Sequence, residues 1–213
     1  MAQSVLVIAD SGTGKSTAIR DLNPDETFII NIANKPLPFK GWKSNYKVAN
    51  KANPTGNLVS SSSAAGIVKA VHHVDQKMPH IKTLVIDDWQ YMSSFEYFDR
   101  ANEKGYDKFT QIAANLAMVA KLPKDLRDDL TVIFLTHSED STDINGNRKI
   151  KAKTIGKMID NTLTLEGLFS IVLFGKVNKN DDGELEYGFE TQNNGENTCK
   201  SPQGMFEDFF IPN

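Results

Sequence analysis

Val5-Leu6-Val7-Ile8 is an unbroken apolar run, and such a run predicts a strand buried on both faces. Thr27–Ile32, Leu84-Val85-Ile86, Thr131–Leu135 and Phe169–Phe174 carry the same signature. Between them the period changes. Ile67, Val68, Val71 and Val74 recur at helical spacing within Ala64–Val74. Tyr91–Asn102 and Lys108–Lys121 read as two helices broken at Gly105, and Phe109, Ile112, Leu116 and Val119 form a core-facing stripe on the second. Residues 33–62 hold three of the eight prolines and few apolar pairs, which predicts a long loop. Ser138–Ala152 is polar and interrupted by glycine, and reads as a mobile loop; Ile155–Leu165 reads as a short helix. Leu185–Thr191 and the segment ending near Lys200 predict a closing antiparallel pair around Asn193-Asn194-Gly195. Strands alternating with helices predict an α/β fold. Its central sheet is mainly parallel and flanked by helices, with antiparallel strands at the C-terminal end. A chain of 213 residues suffices for one such domain over 1–213.

Composition narrows the picture. The net charge of −3 gives no global basic field, so any nucleic-acid surface has to be local. Cys199 is the only cysteine, which excludes a disulfide framework. No signal peptide and no long apolar run are evident, so a soluble, cytoplasmic protein away from membranes is expected.

The first apolar run leads straight into Ala9-Asp10-Ser11-Gly12-Thr13-Gly14-Lys15-Ser16. This matches the P-loop pattern Gly-x-x-x-x-Gly-Lys-Ser/Thr except for Ala9 at the first position. Alanine serves there if the backbone needs no positive φ. Ser11, Gly12, Thr13 and Gly14 would wrap phosphate oxygens with backbone N–H groups, and a helix over Ser16–Asp21 would add its positive end. Lys15 would reach the β- and γ-phosphates, Ser16 would ligate Mg²⁺, and Thr17 would lie near the α-phosphate. ATP with Mg²⁺ is the expected cofactor pair. No guanine-reading motif is evident, although Asn178-Lys179-Asn180-Asp181 comes near one.

Thr83-Leu84-Val85-Ile86-Asp87 is an apolar strand ending in an acid, the Walker B pattern. Asp87 would hold Mg²⁺ beside Ser16. Asp88 is either the base for the attacking water or a cap for the next helix. Leu135-Thr136-His137-Ser138 closes another apolar strand, where ligands of doubly wound sheets sit. Thr136 or His137 is a candidate γ-phosphate sensor, the alternative being an ordinary strand-end histidine. Arg148, Lys149, Lys151, Lys153 and Lys157 crowd into ten residues. They are a candidate phosphate-backbone contact, or simply a solvated charged loop. Lys35, Lys40, Lys43, Lys47 and Lys51 interleave with Phe39, Trp42 and Tyr46, a mixture that suits single-stranded nucleic acid or a subunit interface.

The order of the P-loop, Lys35-Pro36-Leu37-Pro38-Phe39, Leu84–Asp88, Leu135–Ser138, Lys153-Thr154-Ile155-Gly156-Lys157, Leu165-Glu166-Gly167-Leu168-Phe169 and Thr198–Phe206 resembles phage-encoded nucleotide-binding proteins with a RecA-like ATPase core. These are the Sak-type group associated with single-strand annealing and recombination. The resemblance implies ATP bound between subunits of a ring or filament, single-stranded DNA as a ligand, and a single-strand-binding or annealing protein as a partner. It also implies that Ser138–Lys157 is the DNA-binding loop and that Lys200 reaches the γ-phosphate of a neighbouring subunit. In a phage-encoded protein the compartment is the host cytoplasm.

One departure stands out. RecA-like enzymes commonly carry a glutamate after the second strand, where this chain has Ile30-Asn31-Ile32-Ala33-Asn34. Asn31 and Asn34 cannot accept a proton from water. Three functions therefore remain open: a DNA-stimulated ATPase, a non-hydrolysing ATP-binding regulator, and a nucleoside or nucleotide kinase. The last usually needs several arginines around the transferred phosphoryl group, and this chain has Arg20, Arg100, Arg127 and Arg148 alone.

Overall fold

A computed structural model describes residues 1–142, 145–154, 163–180 and 182–213. The apolar runs form β1 (Gln3–Ala9), β2 (Thr27–Asn31), β4 (Thr83–Asp87), β5 (Thr131–Thr142) and β7 (Ile171–Lys179), with the short β3 (Leu58–Val59) between them in sequence. Parallel pairing joins them in the spatial order β3-β2-β4-β5-β1-β7. The antiparallel strands β8 (Leu185–Glu190) and β9 (Phe210–Pro212) extend the sheet beyond β7. The predicted mainly parallel α/β sheet with an antiparallel C-terminal end is observed.

Both faces are buried, and alternate residues serve each. Leu6, Ile8, Ile30, Leu84, Ile86, Val132 and Phe134 point to one face, packed under α2 (Ala64–Lys77), α3 (Gln90–Asp99) and α4 (Asp107–Lys121). Val7, Ile29, Val85 and Leu135 point to the other. That second face is covered by Ile19, Leu37 and Tyr46, with Phe39 and Trp42 at its margin. The loop over 33–62 thus acts as a lid on the core, and it contains the four-residue helix α1 (Trp42–Asn45) as well as β3. Its aromatic rings turn inward: Tyr46 is 2% exposed and donates its hydroxyl to the Ile19 carbonyl at 3.2 Å. They anchor the loop to the sheet.

Three expectations are corrected. No α-helix follows the P-loop; a five-residue 3₁₀ turn, Thr17–Asp21, stands there and delivers Ile19 to the core. Ser138–Ala152 is not a loop throughout: β5 runs on to Thr142, and β6 (Arg148–Ala152) pairs with it antiparallel. The partner of Leu185–Glu190 is β7, with register Phe174↔Glu190 through Lys179↔Leu185, and not the segment near Lys200. That segment instead bridges Lys200 to Val172 of β7. Of the helix expected at Ile155–Leu165, residues 155–162 lie outside the described residues, and a 3₁₀ turn covers Leu165–Leu168.

Under α3 and α4, Phe134 meets Trp89 and Phe169 edge-on, at 5.0 and 5.1 Å between ring centroids. Phe134→Ala is expected to cost about 3–5 kcal/mol, because three mutually packed rings cannot collapse into the space one leaves. Urea denaturation checks this.

Candidate nucleotide site

The carboxyl ends of the parallel strands bring the motif residues together. Ala9 lies level with His137 on one side and with Gly175 on the other, and Asn31 lies level with Asp87. Ala9 is fully buried and is not among the residues with positive φ. Its methyl group is accommodated because its neighbour is glycine: a Cβ on Gly175 would sit 2.7 Å from the Ala9 Cβ. Gly14 does need its freedom, with φ +94°, a left-handed conformation that side chains rarely adopt, and the Asn213 side chain lies close against it.

Ser11, Gly12, Gly14, Lys15, Ser16 and Thr17 line a cleft of about 810 Å³. Thr13 turns away, donating its hydroxyl to the Asp10 carbonyl at 2.8 Å. Opposite the P-loop the cleft is walled by Lys35, Pro36 and Pro38 and by Leu185, Glu186 and Tyr187 of β8. The Asn213 side chain donates to the Gly14 carbonyl at 3.1 Å, and its backbone N–H donates to Tyr187.

Ser16 donates its hydroxyl to Asp87 Oδ1 at 2.7 Å, and both residues are buried. This is a pair of hard oxygen donors at the end of a strand. It suits Mg²⁺, which takes few protein ligands and completes its shell with phosphate and water. No cluster of three acidic, histidine or cysteine side chains that could hold a metal exists among the described residues, which is compatible with that mode. Bound there with ATP, Mg²⁺ would neutralise charge on the β- and γ-phosphate oxygens. Burial, reinforced by the charge of Asp88, pushes the Asp87 carboxyl up to about 6.

The Lys15 ammonium is buried against His137, 3.5 Å from Nδ1 and 3.4 Å from Nε2. Burial lowers its pKa, against the opposing pull of Asp88 and Asp87. Asp88 is fully buried and takes a left-handed conformation, φ +59°. Its carboxylate lies 2.5 Å from Lys35 Nζ and 3.6 Å from His137 Nε2. Burial would raise its pKa, but contacts with His137 and Lys35 outweigh that and hold it below the ordinary value. Asp88 does not cap α3 with its side chain, since Trp89 occupies the cap position. Gln90 Oε1 accepts from both Thr136 Oγ1 and the His137 N–H at 3.2 Å, fixing the end of β5.

A protein-family model described as an AAA domain matches residues 1–202. The chain belongs to that family. No curated protein matches it. Membership in the AAA-domain family carries ATP binding and ATPase activity with Mg²⁺ as the general expectation, and the Ser16–Asp87 pair fits it. No helix among the described residues is long and apolar enough to cross a membrane.

The remaining sequence candidates of this AAA domain that are among the described residues, Arg148, Lys149, Lys151, Lys153 and Lys200, do not line the cleft. Arg148 is exposed and paired with Asp140 at 2.9 Å; Lys149 donates to the Gly195 carbonyl at 2.6 Å. Strand alternation puts Lys149 and Lys151 on one side of β6 and Arg148 on the other. Lys153 is exposed and its backbone N–H donates to the His137 carbonyl at 2.8 Å. Lys157 lies outside the described residues. Lys200 pairs through its backbone with Val172, and it does not line the cleft of its own chain. Sequence reasoning missed Lys35 as a cleft residue, and it also missed Gln90, Tyr187 and Asn213. Gln90 follows Asp88 by two residues, but no motif marks it; the others come from distant elements.

Proposed function

We propose that this AAA-domain protein is a Mg²⁺-dependent ATPase stimulated by single-stranded DNA, acting in DNA recombination or annealing in a phage-infected host cytoplasm. The observation that supports this is the continuity of β5. His137 of that strand lines the nucleotide cleft, and its residues 138–142 pair with basic β6. A displacement of His137 by the γ-phosphate is transmitted along β5 and across its antiparallel pairing to Arg148, Lys149 and Lys151 of β6, and through the His137 carbonyl to Lys153. In the reaction a water oxygen bonds to the γ-phosphorus while the bond to the β–γ bridging oxygen breaks. ADP and phosphate result, and the water proton passes to Asp88. Lys15 neutralises the developing charge, Ser16 and Asp87 hold the metal, and Lys200 of a neighbouring copy in a ring or filament adds a cation. A single-strand-binding or annealing protein is the expected partner.

Phosphate release with and without single-stranded DNA tests this reading. DNA is expected to stimulate the wild type. Replacing Lys149, Lys151 and Lys153 together by alanine is expected to weaken DNA binding about tenfold or more and to flatten its salt dependence. Unchanged DNA affinity in the triple variant rejects the basic strand as the DNA contact.

The second reading is a non-hydrolysing ATP-binding regulator. Asn31 favours it, since it occupies the end of β2 where no carboxylate stands, with its Oδ1 buried and unpartnered. ATP bound tightly without turnover, even with DNA, would establish it. A kinase is disfavoured. Arg100 is paired with Glu96 and Glu103, Arg127 with backbone carbonyls and Asp129, and Arg148 with Asp140. Arg20 alone lines the cleft, paired with Asp21.

A further inference from the structure

Among the described residues, two non-glycine residues have positive φ: Asp88 at +59° and Asn34 at +51°. They lie far apart in sequence, yet both belong to one ion pair's setting: Asp88 is a member of the pair and Asn34 immediately precedes its partner, Lys35. Residues in this region of backbone space cost free energy and persist where surrounding structure enforces them, commonly at ligand clamps and switches. The Lys35 backbone is fixed on its other side as well. Asn31 donates its side-chain amide to the Lys35 carbonyl at 2.6 Å, and Pro36 disfavours a helical conformation for the residue before it.

The result is a rigidly mounted base carrying a long, half-exposed side chain, 49% accessible. Lys35 lines the same cleft as Lys15 and His137, and its present partner Asp88 is fully buried beside Lys35 and His137. Lys15 and Lys35 are near enough that each charge opposes the other. An uncompensated pair of lysines here would repel. Asp88 supplies that compensation for Lys35.

We propose that Lys35 is a γ-phosphate-binding residue supplied by the same chain, which exchanges its ion pair with Asp88 for one with the terminal phosphate of ATP. This rests on the reading of the cleft as an ATP site. The exchange has a direct consequence: it releases Asp88 from a cation only when a triphosphate is present. The Lys35 ammonium thereby distinguishes ATP from ADP, since ADP fills the P-loop but leaves nothing at the Lys35–Asp88 edge.

Calorimetric titration of the full chain with Mg·ATP and Mg·ADP tests this. Lys35→Met is expected to weaken ATP binding roughly 10- to 100-fold, the worth of one charge-assisted contact, and ADP binding less than about threefold. Lys35→Arg, which keeps the charge, is expected to retain most of the preference for ATP. Lys35→Met combined with Asp88→Asn removes the orphaned buried carboxylate, so the ratio remains measurable if the single variant unfolds. A ratio of ATP to ADP affinity that matches wild type in these methionine variants overturns the proposal, whether both affinities fall together or neither changes. Failure of the wild type to bind ATP at all, with no difference from Lys15→Ala, refutes instead the reading of the cleft on which the proposal rests.

Discussion

Lys15→Ala is expected to lower the affinity for Mg·ATP by roughly 100-fold or more while leaving the protein folded. The reason lies in how the ammonium is held. Lys15 is 7% exposed, so its charge is largely stripped of water, and burial lowers its pKa. Its hydrogen-bond neighbour is the His137 ring, not a carboxylate. A partly desolvated cation whose neighbouring carboxylates, Asp88 and Asp87, do not outweigh its burial is a site prepared for an anion, and several phosphate oxygens share the benefit. Removing it relieves a burial cost in the empty protein and loses the attraction in the loaded one. The two effects separate in a melting experiment. Ligand at about 100 times its dissociation constant stabilises a protein by about 2.7 kcal/mol. Wild type is expected to show a shift of that size with Mg·ATP and the variant at most about 0.4 kcal/mol, with ligand-free melting temperatures close to each other. An equal ATP-induced shift in both proteins refutes the role of Lys15.

The elements that proved readable in the sequence are those whose environment is uniform. β1, β2, β4 and β5 are buried on both faces at their cores, so apolar residues run without interruption and the strands stand out. Most of the stripe on α4 was legible for a similar reason: Ile112, Leu116 and Val119 face the core, whereas Phe109 at its start is only half-buried and packs against Tyr97 and Tyr106 instead. The β5–β6 pair was not, because beyond Ser138 the strand leaves the sheet's buried zone and carries Glu139, Asp140 and Ser141 in partial or full exposure. Nor was the cover formed by Leu37, Phe39, Trp42 and Tyr46, whose spacing follows an irregular backbone with no period to detect. At the site, the convergence of Lys15, Ser16 and Asp87 at the carboxyl ends of the strands was legible because the motifs that contain them are short and local. The Lys35–Asp88 pair was not. It is created by the adjacency of β2 and β4, which brings together residues that no local motif connects.

Asp87→Asn is expected to reduce Mg²⁺-dependent ATP hydrolysis by about 100-fold or more, because a metal clamp on a developing phosphoryl charge supplies several kcal/mol. The substitution keeps shape and leaves an oxygen able to accept from Ser16, so the 2.7 Å hydrogen bond survives. What disappears is the charge that attracts the metal. Stability moves the other way. In the metal-free protein the carboxyl is pushed up to about 6 by burial and by Asp88, which means that folding favours its protonated form. Stability from this group is therefore present at low pH and lost as pH rises through about 6, where folding must hold an ionised, buried carboxylate. Asparagine does not titrate. At pH 7 with a chelator present, the variant is expected to melt no lower than wild type, and higher if Lys15 and Lys35 lose little by its neutralisation. A purely structural role for Asp87 predicts the opposite pattern: a lower melting temperature, with activity falling only as far as the folded fraction does. Hydrolysis measured across a Mg²⁺ titration beside the melting curves separates the two. Mg²⁺-dependent turnover within threefold of wild type in a fully folded variant would remove Asp87 from the metal site and leave Ser16 without its partner in the chemistry.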